Sequence, residues 1–505
     1  MTSSAPPAAL RLHPTDNVAV ATAALAAGVT AHPLDVVTSE AIPRGHKIAL
    51  ETIQRGARVI KYGQLIGAAL ADIPAGAHVH VHNLAVTLDR LPARTATAAI
   101  APATPRTFMG YRRADGRHGT RNYVAILTTV NCSGTVARLI AEEAQRSNLL
   151  DRFTNVDGVV PIVHTSGCGM ADRGEGHDLL LRTLIGTAAN PNFGAVLLVG
   201  LGCEVLQIGK FMRVLERANA AVRAFTIQDA GGTRAAVAEG LAQLEALLPL
   251  ANAAERTESP ASALMLGLQC GGSDAWSGLT SNPALGAAAD RLVALGGTVL
   301  LSETPEIYGA EHLLISRAAA PEVAAKLEAR MAWWDRYAAM HGTEMNNNPS
   351  PGNIAGGLTT ILEKSLGAVA KAGASPLVDV VGYAEPVTER GLVFMDSPGF
   401  DPCSATGQIA SGATLIAFTT GRGSAFGAKP SPSIKLSSNT DIYNRMRDDI
   451  DLDCGPILTG EATIDSKGAE ILELLLACAS GARSKSELLG YGGVEFVPWQ
   501  IGATM

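Results

Sequence analysis

After Arg113, short apolar segments alternate regularly with longer amphipathic ones, and this pattern constrains the fold more than any other feature. The apolar segments are YVAILTTV, GVVPIV, AVLLVG and AFTIQD, and each precedes a stretch of helical length such as GTVARLIAEEAQ. Strands buried on both faces of a parallel sheet appear as continuous apolar runs, and the connection between them is usually a helix. The pattern therefore predicts α/β layering with largely parallel sheets.

The chain divides into parts of different texture. Residues 11 to about 85 contain short strand-like pieces broken by Pro-Arg-Gly and Pro-Ala-Gly turns, which indicates a small, mostly β module. A polar stretch at 252–262 separates two α/β regions, which have either separate sheets or one continuous sheet. We predict a mostly β domain at 1–90, an Ala/Thr/Pro-rich linker at 91–107, an α/β domain at 108–255 and an α/β C-terminal domain at 256–505.

Composition excludes several classes of function. A chain of 505 residues with 47% hydrophobic residues, 17% charged residues and 53 glycines has the profile of a compact, multidomain enzyme. Its net charge of −7 and the lack of a basic run argue against nucleic acid and membrane partners. The start MTSSAPPAAL does not resemble a signal peptide, and no apolar run is long enough to span a bilayer. We therefore expect a cytoplasmic protein.

Four of the seven cysteines follow predicted strands in the same way. They are Cys132, Cys168, Cys203 and Cys270. The carboxyl ends of parallel strands line the crevice where ligands bind, and thiolates gathered there suit ferrous iron, an iron–sulfur cluster or zinc. The alternative is burial for packing alone, because cysteine is among the most buried residue types and no Cys-x-x-Cys pair is present.

The stretch HVHVHN at 78–83 places histidines at alternate positions. On a strand, His78, His80 and His82 would share one face, which either brings imidazoles to a reaction centre or is the wet face of an ordinary strand. A second candidate is the glycine-rich loop at 421–427, where Arg422 either clamps a carboxylate or is solvated. The amide-rich segment at 346–353 either binds hydroxyl groups or turns the chain.

These pieces in this order resemble the altronate/galactarate dehydratase family. The resemblance rests on RGHKIAL at 44–50, HVHVHN at 78–83, YRRADGRHGTRN at 111–122, GVVPIVHTSGCG at 158–169, NPNFGAVLLVGLGCE at 190–204, LQCGGSDAWSGLTSNP at 268–283, ETPEIYGAEHLL at 303–314, NPSPGNIAGGLTTILEKSLG at 348–367 and TTGRGSAFG at 419–427. It covers nearly the full length, and the N-terminal module looks like the family's SAF domain. HVHVHN is closer to the altronate members.

The resemblance implies that the protein removes water from a hexonate or hexarate and forms a 2-keto-3-deoxy sugar acid. It also implies a divalent metal, typically iron, as Fe²⁺ or an iron–sulfur cluster, with Mn²⁺ as the alternative. The expected partners are a small sugar acid and other copies of the chain in a homo-oligomer. A sulfo-lyase of the sulfolactate type and a non-catalytic sugar-acid-binding protein are the competing hypotheses.

Dehydration of a sugar acid sets the roles that side chains must fill. The proton next to the carboxylate is weakly acidic because the enediolate carries two negative charges, so a metal must stabilise that charge, and a base and an acid must move protons.

The expected iron ligands are some or all of Cys132, Cys168, Cys203 and Cys270; an open cluster iron would leave one of them without a ligand role. The expected proton carriers are His46, His80, His82 and His164, with His80 and His82 alternatively as metal ligands. The expected substrate contacts are Arg422 and Lys435 for carboxylate, and Asp274, Asn348, Ser350 and Asn353 for hydroxyl groups.

Overall fold

The computed structural model describes residues 7–87, 100–218 and 221–502. It confirms the predicted fold class, because a mostly β N-terminal domain is followed by two domains built on parallel sheets. Within the predicted linker, residues 91–99 lie outside the described part, and residues 100–106 form neither helix nor strand. In the part of the chain described, no helix is long and apolar enough to cross a membrane.

The N-terminal domain consists of short antiparallel strands around a small apolar core. Its strands are β1 (Ala9–Leu10), β2 (Val18–Ala21), β3 (Thr30–Ala31), β4 (Val36–Val37), β5 (Lys47–Ala49), β6 (Arg58–Lys61), β7 (Gln64–Ala69), β8 (His78–Val79) and β9 (Leu84–Ala85). They form sheets in the orders β1-β2-β5-β8 and β6-β7-β9, with β3 and β4 as a separate pair. Val18, Val59, Ile66 and Val79 are buried between the two sheets.

The middle domain is a parallel sheet with helices on both faces. Its elements are β10 (Thr107–Arg112), β11 (His118–Gly119), β12 (Tyr123–Thr128), α1 (Gly134–Arg146), β13 (Gly158–Ile162), α2 (Glu175–Ala188), β14 (Phe193–Gly200), α3 (Ile208–Ala218), β15 (Val222–Thr226), α4 (Ile227–Ala230) and α5 (Thr233–Asn252). The sheet order is β13-β12-β14-β15. Alternate residues of β12 face opposite ways: Val124 and Ile126 pack towards α1 and α5, while Ala125 and Leu127 pack towards α2 and α3.

The C-terminal domain holds a larger parallel sheet. Its elements are β16 (Arg256–Pro260), β17 (Met265–Cys270), α6 (Ser281–Ala294), β18 (Thr298–Ser302), α7 (His312–Ile315), α8 (Pro321–Met340), α9 (Pro351–Ala355), α10 (Ile361–Ala370), β19 (Leu377–Val381), β20 (Gly391–Met395), α11 (Asp401–Ser411), β21 (Leu415–Thr420), β22 (Ser433–Ser437), α12 (Thr440–Arg445), β23 (Leu452–Asp453), α13 (Pro456–Thr459), α14 (Ile464–Ala479) and α15 (Lys485–Leu488). The order is β19-β20-β18-β17-β21-β22-β23. Helices α6, α8, α10 and α14 cover one face, and α11 covers the other.

The two parallel sheets are separate, and each has one point at which the chain reverses its direction of travel across the sheet. In the middle domain β12 lies between β13 and β14, and in the C-terminal domain β17 lies between β18 and β21. A small antiparallel sheet in the order β11-β10-β16 connects the two domains. Because ligands bind beyond the carboxyl ends of the strands at such a switch point, the fold offers two candidate crevices. We call them the thiol crevice, beyond β12, and the arginine crevice, beyond β17.

Candidate functional site

Three of the predicted thiols lie together in the thiol crevice. Cys132, Cys168 and Cys203 follow β12, β13 and β14, and all three are exposed. The loops that carry them are bonded to one another: the amide of Asn131 donates to the carbonyl of Ser166 over 2.9 Å, and the amide of Val205 donates to the carbonyl of Gly167 over 3.1 Å. The fold therefore presents three accessible thiols on one connected set of loops.

Glu204 stabilises the third of these loops. Its buried carboxylate accepts hydrogen bonds from the Thr129 hydroxyl at 2.6 Å and from the amides of Gly202 at 2.6 Å and Leu201 at 3.2 Å. These contacts tie the loop after β14 to the end of β12. Glu204 thus fixes the position of Cys203, which is next to it in the chain.

His164, predicted as a proton carrier, also lies in the thiol crevice. Its Nε2 lies 3.2 Å from the Thr128 carbonyl, and its Nδ1 accepts from the Ser166 amide at 3.3 Å. Burial lowers the pKa of His164 to about 4. Since backbone groups occupy both ring nitrogens, this geometry does not support the role of a base; His164 instead joins β12 to the loop that bears Cys168.

Cys270 does not join the other three thiols, contrary to our expectation of one shared ligand set. It ends β17 in the C-terminal domain, where its buried Sγ lies 3.2 Å from Glu306 Oε2 and 2.8 Å from Lys371 Nζ. Strand-end position was predicted correctly for all four cysteines, but the strands belong to two sheets with separate carboxyl edges. Among the described residues, one group of three or more possible metal ligands has its ligand atoms within 4.8 Å of one another: Cys270, Glu303 and Glu306.

The arginine crevice contains a cavity of about 290 Å³ between the N-terminal and C-terminal domains. Its lining residues are Arg44, Asp274, Trp276, Gly356, Gly421, Arg422, Asn439, Asp441, Ile442 and Arg445. Arg422 is exposed, and Arg44 comes from the N-terminal domain, where it is paired with Asp441. The structure therefore brings Arg422 and Asp274, both predicted as substrate contacts, into one positively charged cavity.

Asp274 is a structural part of the cavity wall. Its Oδ1 accepts from the amide of Ser277 at 2.9 Å and from the hydroxyl of Ser438 at 2.9 Å, and its Oδ2 accepts from Asn439 Nδ2 at 3.2 Å. Burial raises the pKa of Asp274, although these hydrogen bonds oppose the shift. The carboxylate thereby connects the ends of β17 and β22 beneath Arg422.

The predicted hydroxyl-binding residues of the 348–353 segment use their side chains within the protein. Ser350 and Asn353 form a capping box at the start of α9, and Asn353 Nδ2 also donates to the Ser273 carbonyl at 2.8 Å. Asn348 Oδ1 accepts from Lys364 Nζ at 2.6 Å. Asn353 thus lies beside Asp274 in the chain fold, and the role of all three residues as hydroxyl contacts stays a prediction.

Lys435 lies outside the cavity, contrary to its predicted pairing with Arg422. Its buried Nζ donates to the Phe426 carbonyl at 3.0 Å and lies 5.1 Å from the centre of the Tyr491 ring. Burial lowers its pKa despite the nearby Asp449 and Asp451. Lys435 therefore supports the end of the glycine-rich loop from a buried position.

The histidines of the N-terminal domain form a cluster. The predicted strand ends at Val79, because Asn83 turns the chain by accepting from the His80 amide at 2.9 Å. The ring centres of His46, His78 and His80 nevertheless lie 4.9 to 5.2 Å from one another, and His46 Nδ1 is 2.9 Å from His78 Nε2. The exposed His82 lies 5.6 Å from His78 by ring centre. His46 reaches the cluster because β5 pairs with β8.

This cluster lies at the edge of the arginine cavity. His80 Nε2 is 3.1 Å from the Ile354 carbonyl, and His46 is hydrogen-bonded to the backbone of Ala355, next to the cavity residue Gly356. The two domains touch backbone to backbone here: a Cβ on Gly357, whose φ is +95°, would lie 2.5 Å from the Gly45 carbonyl oxygen. Only glycine permits this close approach of the two backbones. The approach places the imidazoles against the C-terminal end of α9.

The rings of His46, His78 and His80 are neutral near pH 7. Burial, followed by repulsion from His46 and the other imidazoles, lowers the pKa of His78 to about 3. Burial and the nearby Lys47 lower the pKa of His80 to about 4, and burial also lowers the pKa of His46. Neutral rings can accept a proton or bind a metal, whereas protonated rings at these distances would repel one another.

These lowered pKa values predict acid sensitivity. Unfolded histidines bind protons near pH 6.5, whereas His78 and His80 in the folded state do so only near pH 3 to 4, so stability should fall as the pH drops through that window. We expect His78→Gln to reduce this loss by on the order of 1 kcal/mol between pH 6.5 and 4. Urea unfolding across this pH range measures it, with the exposed His13→Gln as control. Equal pH dependence in the wild type and His78→Gln would contradict the prediction.

A buried charged triad holds the N-terminal domain against the C-terminal domain. Glu363 of α10 accepts from Lys47 Nζ at 2.8 Å and from Lys61 Nζ at 2.7 Å, and all three side chains are at most 1% exposed. Burial opposes ionisation of Glu363, but the two ammonium groups outweigh it and hold its pKa well below the usual range. Burial lowers the pKa of Lys47 to about 8 despite Glu363. We call these three residues the docking triad.

The sequence interpretation missed the docking triad and a second buried cluster around Cys270. Glu303 directly follows β18 and Glu306 lies one turn further on. The available signal was their position after the apolar run TVLLS, the same strand-end setting that identified the cysteines. Nothing in the local sequence marks Lys371 or Lys364 as their partners, because these lysines lie on the helical segment more than 50 residues later.

Comparison with known proteins identifies the class of this fold and site. Family models match all three parts of the chain: the altronate/galactarate dehydratase SAF domain at 7–87, the D-galactarate dehydratase/altronate hydrolase second domain at 110–252 and the D-galactarate/altronate dehydratase C-terminal domain at 261–504. A galactarate dehydratase (L-threo-forming) of Escherichia coli is 40% identical over 94% of this chain and 93% of its own length. The altronate dehydratase of Bacillus subtilis is 34% identical over 94% of this chain and 95% of its own length.

These relatives are dehydratases, and the chain is accordingly an enzyme of the hydro-lyase class. It belongs to the altronate/galactarate dehydratase family, as the sequence motifs predicted. A (2R)-sulfolactate sulfo-lyase subunit beta of Chromohalobacter salexigens is also similar, with 35% identity over 78% of this chain and 97% of its own length.

Proposed function

We propose that the protein dehydrates an acyclic sugar acid, an aldarate or aldonate such as galactarate or altronate, to its 2-keto-3-deoxy product. The observation that carries the proposal is the arginine cavity, where Arg44, Arg422 and Arg445 surround a space beside neutral imidazoles. Guanidinium groups hold carboxylates through paired hydrogen bonds, and more than one arginine suits an acid with a carboxylate at each end. The similarity to a galactarate dehydratase and to altronate dehydratases supports this substrate class.

The reaction needs a base for the proton next to the carboxylate and an acid for the departing hydroxyl group. His46 and His80 are the proposed proton carriers, because they are neutral near pH 7 and touch the segment that lines the cavity. A bound carboxylate favours the protonated form of a nearby imidazole, so substrate binding itself strengthens these bases. His82, exposed at the outer side of the cluster, is a further candidate.

We also propose that the enzyme depends on iron. When bound, iron would supply a Lewis acid for the charge that develops on the carboxylate, which requires that a substrate held in the arginine cavity also meets the thiol crevice in the working enzyme. Cys132, Cys168 and Cys203 fit it, because soft thiolates suit iron and three ligands leave one position open. Their sulfur atoms are not within 4.8 Å of one another as a set, which favours a cluster over a single ion. Mn²⁺, the alternative, prefers oxygen ligands and does not suit these three thiols.

The test is an assay of the full chain, purified without oxygen and loaded with iron. Galactarate, altronate and (2R)-sulfolactate are each supplied, and 2-keto acid and sulfite are measured as products. We expect 2-keto acid without sulfite from at least one sugar acid. Saturable binding of sugar acids without any turnover, in protein of verified iron content, would overturn the proposal.

A sulfo-lyase reaction is the second candidate function, because the sulfo-lyase beta subunit matches most of this chain. Expulsion of sulfite begins with the same loss of the proton next to a carboxylate, so the same arginines and imidazoles serve it. Release of sulfite from sulfolactate, with no 2-keto acid from the sugar acids, would favour this candidate. The non-catalytic alternative has no support, since the relatives are enzymes.

Arg422 is predicted to bind substrate. The described structure gives it no carboxylate partner, so its guanidinium is available to one. We expect Arg422→Ala to raise KM about tenfold to a hundredfold, since a hydrogen bond to a charged group contributes about 1.5 to 3 kcal/mol. Steady-state kinetics measure the change, with Arg447→Ala, an exposed arginine outside the cavity, as the matched control. An unchanged KM in Arg422→Ala would contradict the assignment.

A further inference from the structure

Beneath the arginine cavity lies a buried group of ionisable side chains that the proposed mechanism does not use. It consists of the buried Cys270, Glu303, Glu306, Lys364 and Lys371 together with the partly buried Asp401. Cys270 ends β17 and Glu303 follows β18, so the group occupies the carboxyl edge of adjacent strands at the switch point. Asp401 packs against Gly271, the residue that follows Cys270: a Cβ on Gly271 would lie 2.3 Å from the Oδ2 atom of Asp401.

Two of the acidic groups already have cationic partners. Lys364 Nζ lies 2.7 Å from Glu306 Oε1, and Lys371 Nζ lies 2.8 Å from Cys270 Sγ. The thiol also donates to Glu306 Oε2 over 3.2 Å. Burial opposes ionisation of Glu306, but the two lysines outweigh it and hold its pKa at about 2. Glu306 is therefore a carboxylate at neutral pH.

Glu303 has no such partner. Its side chain is fully buried, and neither carboxylate oxygen has a hydrogen-bond partner among the described residues. The backbone at Glu303 adopts φ +74°, a left-handed conformation that a glutamate rarely takes, and this conformation turns the side chain towards Cys270 and Glu306. An unpartnered carboxylate inside a protein is costly, and strained backbone of this kind concentrates at functional positions.

The charges of the cluster do not balance as it stands. Three carboxyl groups and one thiol face two ammonium groups, so full ionisation would leave an excess of two negative charges. Without a further cation, the cluster avoids this excess only if some of its acidic groups keep their protons. One divalent cation would match the excess.

We infer that Cys270, Glu303 and Glu306 form a binding site for a divalent transition metal of borderline softness, such as Fe²⁺ or Zn²⁺. Their ligand atoms lie within 4.8 Å of one another, and one thiolate with two carboxylates is a donor set such ions accept. The metal would supply both oxygens of Glu303 with the partner they lack. This site is distinct from the three thiols of the thiol crevice, and the inference does not depend on the identity of the substrate.

Co²⁺ is the probe, because thiolate coordination gives it a near-ultraviolet charge-transfer absorption. The starting protein carries Cys132→Ser, Cys168→Ser and Cys203→Ser, so that the thiol crevice contributes no signal. We expect one equivalent of Co²⁺ with a thiolate band, loss of that band on adding Cys270→Ser, and a band preserved on adding Cys454→Ser, another buried thiol. An identical band in the Cys270→Ser variant would overturn the inference.

Glu303→Gln provides a readout that removes no thiol and keeps the shape of the side chain. We expect it to weaken Co²⁺ binding at least tenfold and to reduce the rise in Tm that Co²⁺ or Zn²⁺ causes in the starting protein. Circular dichroism confirms that each variant is folded. If folded starting protein binds no Co²⁺ and shows no rise in Tm, the cluster is neutralised by Lys364, Lys371 and protons alone, and the inference fails.

Discussion

Serine at any one of Cys132, Cys168 and Cys203 is expected to remove most of the bound iron and to lower kcat/KM about a thousandfold. The three thiols lie on loops that are bonded directly to one another, so each loss opens the same centre. A thousandfold loss corresponds to about 4 kcal/mol, which is the order of the charge stabilisation that a metal supplies in such reactions. Iron analysis and turnover after anaerobic reconstitution measure the two effects.

Cys454→Ser is the matched control, because it removes a thiol that is buried in the core of the C-terminal domain. It should keep both iron and turnover. Retention of iron in all three crevice variants would contradict the thiolate assignment. A different outcome, loss of iron with turnover preserved, would show that this iron is not the catalytic metal; the metal site at Cys270, Glu303 and Glu306 would then be the candidate for that role.

The predicted layering succeeded because the signal for it is local. The runs YVAILTTV, GVVPIV and AVLLVG form parallel strands, whereas AFTIQD divides between the edge strand β15 and helix α4. The cysteines that follow the first three runs do lie at strand ends. The sequence pattern could not assign the strands to sheets, however. Cys270 was grouped with the other three for this reason, although β12 and β17 are the switch-point strands of different sheets.

The histidine cluster, too, could be predicted from the sequence only in part. Alternation predicted that His78, His80 and His82 share a side, and their rings do come together although the strand ends at Val79. The contribution of His46 depends on the pairing of β5 with β8, which alternation within one segment does not reveal. The amide-rich segment was ambiguous for a different reason, because asparagine and serine cap helices and bind hydroxyl groups with the same atoms. In Ser350 and Asn353 the structure shows the capping use.

The sequence alone could not predict contacts between distant parts of the chain. Glu363 lies in α10 within ILEKSLGAVA, a segment that reads as an ordinary amphipathic helix with a solvated charge. Its partners Lys47 and Lys61 are about 300 residues earlier, in a different domain. Only the contact between the two domains shows that Glu363 is buried. The same contact shows that Glu363 helps to position His46 and Arg44.

Glu363→Gln is expected to destabilise the protein by about 3 to 5 kcal/mol. Loss of the carboxylate leaves Lys47 and Lys61 buried with no opposite charge, and an uncompensated buried charge is costly. The Thr359 hydroxyl and amide, which also donate to Glu363, lose an ionised acceptor. Because the docking triad spans two domains, we expect faster hydrogen exchange in β2 and β5 and a lower kcat/KM. Urea unfolding measures the stability change, and Glu473→Gln, which breaks an exposed pair with Arg106, should cost less than about 1 kcal/mol.

A triple variant separates the charge effect from the packing effect. Replacing Lys47 and Lys61 by methionine and Glu363 by leucine removes all three charges and keeps the buried volume, so most of the stability lost in Glu363→Gln should return. If Glu363→Gln unfolds at the same urea concentration as the wild type, the triad does not hold the domains together. If the triple variant is no more stable than Glu363→Gln, the loss comes from packing and not from unpaired charge. If the triple variant recovers stability and shows normal hydrogen exchange in β2 and β5, apolar packing can dock the N-terminal domain as well as the charged triad does. The position of the imidazoles would then not depend on the charges themselves.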